Sequence, residues 1–180
     1  STHCISSAAS DVYKRQIQKF VDLVLDIKPE QVTLVPDAVD AITSNAGWDT
    51  IKNQSFLKEV VTEFKRNDIR TSIFMDTDKG LIEAAAKTGT DRIELYTENY
   101  AVEYAKGNME AVKPYVESAV LAGNLGMGIN AGHDLSLDNL KYFVNEVPNL
   151  LEVSIGHALI SEALYLGLQN VVNMYLQKLK

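Results

Sequence analysis

The chain has 180 residues, 46% of them hydrophobic, which is enough for one domain with a sizeable core. Its formal net charge of −7 argues against a nucleic-acid-binding surface, because phosphates along a duplex are neutralised by clustered Lys and Arg. The single cysteine, Cys4, excludes an internal disulfide and favours the reducing cytoplasm, and no apolar stretch is long enough for a membrane span.

Residues 1–16 differ in composition from the rest of the chain. They are small and polar, and they lack the apolar segment of a signal peptide. The run from Asp11 to Gln16 resembles the translated end of a sequencing adaptor. We therefore expect residues 1–16 to be non-native, with no function for His3, Cys4 or Tyr13.

From Ile17 onward, segments with helical spacing of apolar residues alternate with short strand-like runs. The predicted helices cover 17–27, 51–66, 81–87, 109–122, 135–144, the residues after His157, and 168–179. The predicted strands cover 31–35, 70–75, 91–95, the stretch ending at Gly132, and 150–155. Pro114 implies that its helix starts near Val112 or is kinked, and Ser136 or Asp138 is expected to cap the helix after His133.

The predicted strands are nearly continuously apolar, which is typical of a parallel sheet covered by helices. This pattern leaves two architectures open, an open doubly wound sheet and part of a (β/α)₈ barrel. The glycines of 123–128 precede a strand instead of following one, so they do not form a dinucleotide-binding motif.

His133 is the first candidate functional residue. Gly132 permits a tight turn before it, at the carboxyl end of a strand and beside a helix start, where parallel α/β proteins bind ligands. Histidine suits proton transfer near neutral pH. The alternative is a loop histidine that hydrogen-bonds its neighbours.

Glu94 is the second candidate, since it lies between Ile93 and Leu95 in an apolar strand. Burying a carboxylate there is costly unless it has a partner or a catalytic role. The structural alternative is an ion pair with Arg92 or Lys87.

Gly156 precedes a helix after the last strand, where its backbone and the helix N–H groups can hold a phosphate. The His157 side chain is expected to cap or pack the helix. Asp37 and Asp76 are expected to serve as turn or cap residues. Tyr165, Met174 and Tyr175 are expected to pack in the core or between subunits.

Five segments at the strand ends, taken together, resemble one family. They read Leu34-Val-Pro-Asp37, Ser72-Ile-Phe-Met-Asp76, Arg92-Ile-Glu-Leu-Tyr-Thr97, Ile129-Asn-Ala-Gly-His133 and Ser154-Ile-Gly-His-Ala158. In this order and spacing they resemble the pyridoxine 5′-phosphate synthases of vitamin B6 biosynthesis, over residues 17–180. The resemblance implies a cytoplasmic (β/α)₈ TIM barrel that assembles into a homo-octamer and needs no metal or organic cofactor.

The resemblance also implies a transferase reaction and its residues. It condenses 3-amino-2-oxopropyl phosphate with 1-deoxy-D-xylulose 5-phosphate into pyridoxine 5′-phosphate, phosphate and water. His133 matches the family's general acid, and Glu94 matches a glutamate that stabilises charged intermediates. The remaining matches are substrate contacts. Thr43, in the long loop 38–50, matches a contact to the sugar phosphate, and the backbones of Gly156 and His157 match contacts to the aminoketone phosphate. Asp134 is also expected to bind substrate, through its backbone.

The sequence departs from the family in two ways. Asp134 replaces a glycine, so its carboxylate must point away from phosphate. The family's first three βα units, with an Asn-x-Asp-His motif, a second-strand histidine and a third-strand glutamate, would precede Ile17. We therefore expect residues 17–180 to form about five C-terminal units of the barrel, inactive alone, with small phosphorylated ligands and no nucleic-acid or membrane partner.

Two other functions stay open at this point. One is a different phosphate-binding barrel, such as an isomerase or an aldolase-like synthase, although no strand-end lysine favours an aldolase. The other is a noncatalytic phosphate-binding remnant.

Overall fold

The computed structural model describes residues 18–36 and 46–180, in which strands alternate with helices. The helices are α1 (Gln18–Ile27), α2 (Gln54–Arg66), α3 (Lys79–Ala86), α4 (Glu98–Ala105), α5 (Lys113–Asn124), α6 (Leu140–Glu146), α7 (His157–Leu166) and α8 (Leu168–Lys178). The strands are β1 (Gln31–Leu34), β2 (Arg70–Met75), β3 (Arg92–Tyr96), β4 (Gly128–Gly132) and β5 (Leu150–Ser154). Each predicted strand is therefore present.

All five strands are parallel and pair in sequential order, β1-β2-β3-β4-β5. A doubly wound sheet reverses its strand order at a switch point, so the sequential order excludes that architecture. Consecutive βα units in a barrel have this order instead. Within the described residues, no pairing joins β5 back to β1.

The two faces of the sheet differ in chemistry. Side chains that face the helices are apolar and at most 1% exposed: Val32, Leu34, Ile73, Met75, Ile93, Leu95, Ile129 and Ala131. Side chains of the opposite face are mostly polar: Gln31, Thr33, Arg70, Ser72, Arg92, Glu94, Asn130 and Glu152. The helices therefore cover one face, and polar groups meet on the other.

This polar face is strongly curved. Gln31 on β1 donates from Nε2 to Glu152 Oε2 on β5 at 2.9 Å. Adjacent strands lie about 4.8 Å apart, so a flat sheet would separate β1 from β5 by roughly 19 Å. A side-chain contact between the first and fifth strands therefore requires a curved sheet, as in an arc of a barrel.

Two helix predictions need correction. The helix after His133 begins at Leu140, not Leu135, and Asn139 precedes it instead of Ser136 or Asp138. Asn139 Oδ1 accepts from the Ser136 N–H at 2.9 Å, so the residues before the helix form a turn. Helix α4 was not predicted, because its only buried residue is Tyr100 and eight residues show no apolar stripe.

The prediction for Pro114 is confirmed. A short 3₁₀ helix covers Met109–Val112, and Pro114 lies in the first turn of α5. N–H groups in the first turn have no partner within the helix, so the missing N–H of proline costs no hydrogen bond there.

Candidate active site

The carboxyl ends of the parallel strands share one edge of the sheet, and the sequence candidates follow them. Glu94 lies near the end of β3, His133 directly follows β4, and Gly156 follows β5 by two residues. The register pairs Glu94 with Asn130 and Tyr96 with Gly132. The strands therefore bring Glu94 and His133 to the same part of this edge.

Glu94 is a buried carboxylate, only 1% exposed. Its Oε2 accepts from the Thr33 hydroxyl at 3.1 Å. Its Oε1 lies 2.5 Å from the position that a Cβ on Gly132 would occupy. The carboxylate thus lies against the peptide that leads into His133, and only glycine fits there.

Arg92, one of the two cations considered as a partner for Glu94, bonds to other groups. Its Nη1 lies 2.7 Å from Glu152 Oε1 and donates to Asn130 Oδ1 at 3.0 Å. Asn130 in turn donates to Glu152 Oε2 at 3.3 Å. This polar cluster joins β3, β4 and β5, and its Asn130 is the register partner of Glu94.

His133 has an unusual backbone. Its φ is 87° and that of Asp134 is 58°, in the left-handed region that non-glycine residues rarely adopt. The turn places the imidazole Nδ1 2.9 Å from Asp134 Oδ2. The ring also meets Tyr96 edge-on, with centroids 4.9 Å apart. The His133 side chain is 21% exposed, so a small molecule can reach it.

Thr97 holds this turn in place, and the sequence did not single it out. Its side chain is fully buried. Its N–H donates to the Gly132 carbonyl at 3.0 Å, and its hydroxyl donates to the same carbonyl at 2.8 Å and to that of His133. The end of β3 therefore fixes the peptides on both sides of His133.

Two buried tyrosines support the turn from behind. Tyr115 donates to the Tyr96 carbonyl at 3.0 Å, and Tyr100 donates to the Asn139 carbonyl at 2.7 Å. Burial raises the pKa of Tyr115 to about 12 and also raises the pKa of Tyr100. Both phenols therefore keep their protons at neutral pH and remain donors.

Tyr96 faces the site itself. Burial, together with its hydrogen bond to Glu98, raises the pKa of the Tyr96 phenol. A neutral phenol beside His133 contributes a ring edge and a dipole without adding charge.

Gly156 and His157 form the start of α7 and are both exposed. Gly156 immediately precedes the helix, and a Cβ there would meet nothing within 4 Å. The first N–H groups of a helix have no partner within it, so this end can accept an anion. The prediction that the His157 side chain caps or packs the helix is wrong, because the residue is exposed and the N-cap is Gly156, with no side-chain cap hydrogen bond.

The segment after the long loop contacts the ends of β1 and β2. Gly47 donates from its N–H to Asp76 Oδ2 at 3.1 Å, a contact between residues 29 positions apart, while Asp78 and not Asp76 caps α3. Trp48 donates from Nε1 to the Leu34 carbonyl at 3.1 Å. Thr43 and Asp37 lie outside the described residues.

The three residues expected to pack differ from one another. Tyr175 is 5% exposed and packs in the core, whereas Tyr165 is 90% exposed. Met174 is also exposed, at 38%.

Over 18–36 and 46–180, no group of three or more His, Cys, Asp or Glu side chains is arranged to hold a metal ion. In the same residues, no helix is long and apolar enough to cross a membrane.

Sequentially ordered parallel strands, with a buried acid and a histidine at their carboxyl ends, place the chain in the class of α/β enzymes with active sites on βα loops. Comparison with known sequences identifies the family. The model described as "Pyridoxal phosphate biosynthesis protein PdxJ" matches residues 9–180, and the chain belongs to this family.

Curated relatives agree with this assignment. The pyridoxine 5′-phosphate synthase of Flavobacterium johnsoniae is 70% identical over 161 residues, which are 89% of this chain and 68% of the relative. The pyridoxine 5′-phosphate synthase of Christiangramia forsetii is 65% identical over 166 residues, 92% of this chain and 70% of the relative. This chain therefore spans only about 70% of its relatives' length.

Solved structures support the fold alone. The structure of a mandelate oxidase variant with 2-hydroxy-phenylacetamide has a TM-score of 0.60 at 11% sequence identity. The match covers 94% of this chain and 55% of that chain.

Proposed function

We propose that the chain supplies the C-terminal βα units of a pyridoxine 5′-phosphate synthase. Its substrates are 3-amino-2-oxopropyl phosphate and 1-deoxy-D-xylulose 5-phosphate, and its products are pyridoxine 5′-phosphate, phosphate and water. The observation that carries this proposal is the buried Glu94 carboxylate against Gly132, directly before His133, in a chain of this family.

His133 acts as the general acid. Ring closure includes dehydration, in which a leaving hydroxyl must receive a proton, and a partly exposed imidazole at the strand edge can deliver it. The buried Glu94 carboxylate stabilises positive charge on the iminium-type intermediates that arise between the amine and the ketone.

The phosphates bind at two places on the same edge. The backbone N–H groups at Asp134, Gly156 and His157 hold the aminoketone phosphate, because these residues follow β4 and β5 on adjacent strands. Thr43 contacts the sugar phosphate. No metal or organic cofactor takes part in this proposal.

The complete enzyme is a (β/α)₈ barrel in the cytoplasm, of which residues 17–180 form about five units. The curvature that lets Gln31 reach Glu152 supports this arrangement. Three further βα units close the barrel and supply the two bases, so this chain alone is inactive. Residues 1–16 are kept in this proposal as a non-native segment, although the family match begins at residue 9.

The oligomer is a homo-octamer in this proposal. Exposed apolar side chains on α7 and α8 support contacts with other chains: Ile160, Leu164, Tyr165, Leu166, Leu168 and Met174.

A chimera tests the proposed reaction. The N-terminal segment of the Flavobacterium johnsoniae relative that precedes its match to this chain is joined ahead of Gln18. Formation of pyridoxine 5′-phosphate and release of phosphate are then measured from the two substrates. We expect turnover by the chimera and none by the 180-residue chain.

Matched variants of the chimera test the roles of the residues. His133→Gln and Glu94→Gln should each lower kcat by roughly 10²-fold or more. Asp138→Asn, a change in the same loop, should leave kcat within about twofold, because Asp138 is exposed and substitutions of exposed residues usually change stability by no more than about 0.5 kcal/mol. Full activity of the His133→Gln chimera would refute the proposed acid.

A further inference from the structure

The Asp134 carboxylate faces the imidazole of the residue before it. The distance from His133 Nδ1 to Asp134 Oδ2 is 2.9 Å, that of a charge-assisted hydrogen bond. Adjacent side chains in an extended strand point to opposite faces. The contact is therefore made by the turn, in which both residues adopt positive φ.

The identity of the acceptor fixes which atom carries the proton. An ionised carboxylate has no hydrogen to donate, so the ring nitrogen that faces it must be the one bearing N–H. From this geometry we infer that Asp134 is a positioning residue, which holds neutral His133 as the Nδ1–H tautomer and makes Nε2 the proton-transferring atom. The inference deepens the proposed function and rests on His133 acting as the acid.

The other contacts of His133 support a fixed ring orientation. Tyr96 packs edge-on against the imidazole at an interplanar angle of 82°. Thr97 fixes the carbonyls on both sides of His133. With its backbone fixed at the peptides and its ring placed between Tyr96 and Asp134, the imidazole is held in one orientation.

In this arrangement only Nε2 gives up a proton during the reaction. In the protonated state both ring nitrogens carry hydrogen. The Nε2–H bond breaks as an O–H bond forms on the leaving hydroxyl, which departs as water. The neutral imidazole keeps its proton on Nδ1, against Asp134.

Asp134 has a second consequence for ligand binding. A carboxylate directed at phosphate would repel it, but here the carboxylate is engaged by the imidazole. The Asp134 N–H is part of the backbone, so the proposed phosphate contact does not depend on this side chain. Asp134 thus orients His133 with its side chain and contacts the substrate phosphate with its backbone N–H.

Nitrogen NMR of the ¹⁵N-labelled chain tests the inference. The chain has three histidines, His3, His133 and His157, so the long-range ring correlations are few and His133→Gln identifies those of His133. At a pH where the imidazole is neutral, we expect a protonated-type shift at Nδ1 and a pyridine-type shift at Nε2. The Nε2–H tautomer in the wild-type chain would overturn the inference.

Two substitutions separate the side chain from the fold. Asp134→Gly removes the carboxylate and tolerates the φ of 58°, so we expect His133 to shift towards the Nε2–H tautomer. Asp138→Asn removes an exposed carboxylate from the same loop and should leave the His133 signals unchanged. Unchanged signals in Asp134→Gly would also overturn the inference.

The tautomer is measured without turnover. The role of His133 as the acid and the role of Asp134 in orienting it can therefore be tested separately. Suppose that the Nδ1–H tautomer depends on Asp134 but the His133→Gln chimera keeps its activity. This result supports Asp134 as the residue that orients the imidazole and rejects His133 as the acid. Lost activity in that chimera together with an Nε2–H tautomer supports the acid and rejects the orientation.

Discussion

The backbone of Gly132 lies directly against the carboxylate of Glu94. A Cβ at position 132 would be 2.5 Å from Glu94 Oε1 and 2.9 Å from the Ser154 Cβ. Real Cβ atoms do not approach other atoms so closely, so the absence of a side chain lets β3, β4 and β5 come together here. Glycine at this position therefore serves packing around the acid as well as the turn before His133.

Gly132→Ala should displace the Glu94 carboxylate and destabilise the protein. Overpacking a rigid site of this kind costs about 1–3 kcal/mol, measured as the free energy of unfolding in urea. Gly123→Ala is the control, because position 123 lies in α5 and a Cβ there meets nothing within 4 Å. The control should gain roughly 0.5–1 kcal/mol from helix propensity. Equal stabilities of the two variants would contradict the predicted clash.

Thr97→Val should weaken the turn that holds His133. The substitution keeps the shape of the side chain but removes the hydroxyl that donates to the Gly132 and His133 carbonyls. Loss of a buried donor should cost about 1–2 kcal/mol, and Thr97→Ser should restore most of it. Thr62→Val is the control, since its hydroxyl bonds within the solvent-facing part of α2 and should matter by less than about 0.5 kcal/mol. A Thr97→Val protein as stable as Thr62→Val would exclude the role of this hydroxyl.

The sequence predicted the strands well, because each one follows a clear local pattern. Strand β2 has the predicted bounds, Arg70–Met75, since turn residues flank a short apolar run. Glu94 and His133 were also identified from their place at strand ends. The structure places them at one edge, as parallel strands require.

Contacts between distant residues could not be predicted in this way. Thr97 bonds to a carbonyl 35 residues later, and nothing in its neighbours indicates that partner. The pairing of His133 with Asp134 depends on positive φ at two non-glycine residues, which the fold imposes and local preference opposes. Polar residues of β1 and β5 meet only because the sheet is curved.

Glu152 should contribute to stability through the polar cluster on the concave face. It contacts Arg92 at 2.7 Å, and the Arg92 side chain is only 13% exposed. Glu152→Ala leaves this cation without its carboxylate and should cost about 2–3 kcal/mol, less than a fully buried pair because Glu152 is partly exposed. Glu110→Ala removes an exposed partner of Lys113 and should change stability by less than about 0.5 kcal/mol. Similar losses in the two variants, measured by urea unfolding, would argue against a special role for the cluster.

Asp91 should make part of the stability depend on pH. Burial acts to raise its pKa, but hydrogen bonds from Lys65 and Thr71 outweigh it and hold the pKa of Asp91 below the usual 3.8. A folded-state pKa below the unfolded value gives stability that is present above about pH 4 and lost as pH falls through the folded pKa. Asp91→Asn should therefore cost about 1 kcal/mol near pH 7 and less near pH 3. A loss that is equal at both pH values would contradict the linkage.

Leu164 and Tyr165 should drive association between chains. They are 81% and 90% exposed on α7, and large apolar side chains at such exposure favour contact with another surface. Replacing both by Lys should raise the monomer fraction in sedimentation velocity while changing the free energy of unfolding by less than about 0.5 kcal/mol. Val120→Lys, an equally simple change at an exposed position of α5, should leave the monomer fraction as it is. If the Val120 variant dissociates the protein as strongly as the double variant, added charge and not the α7 surface controls assembly.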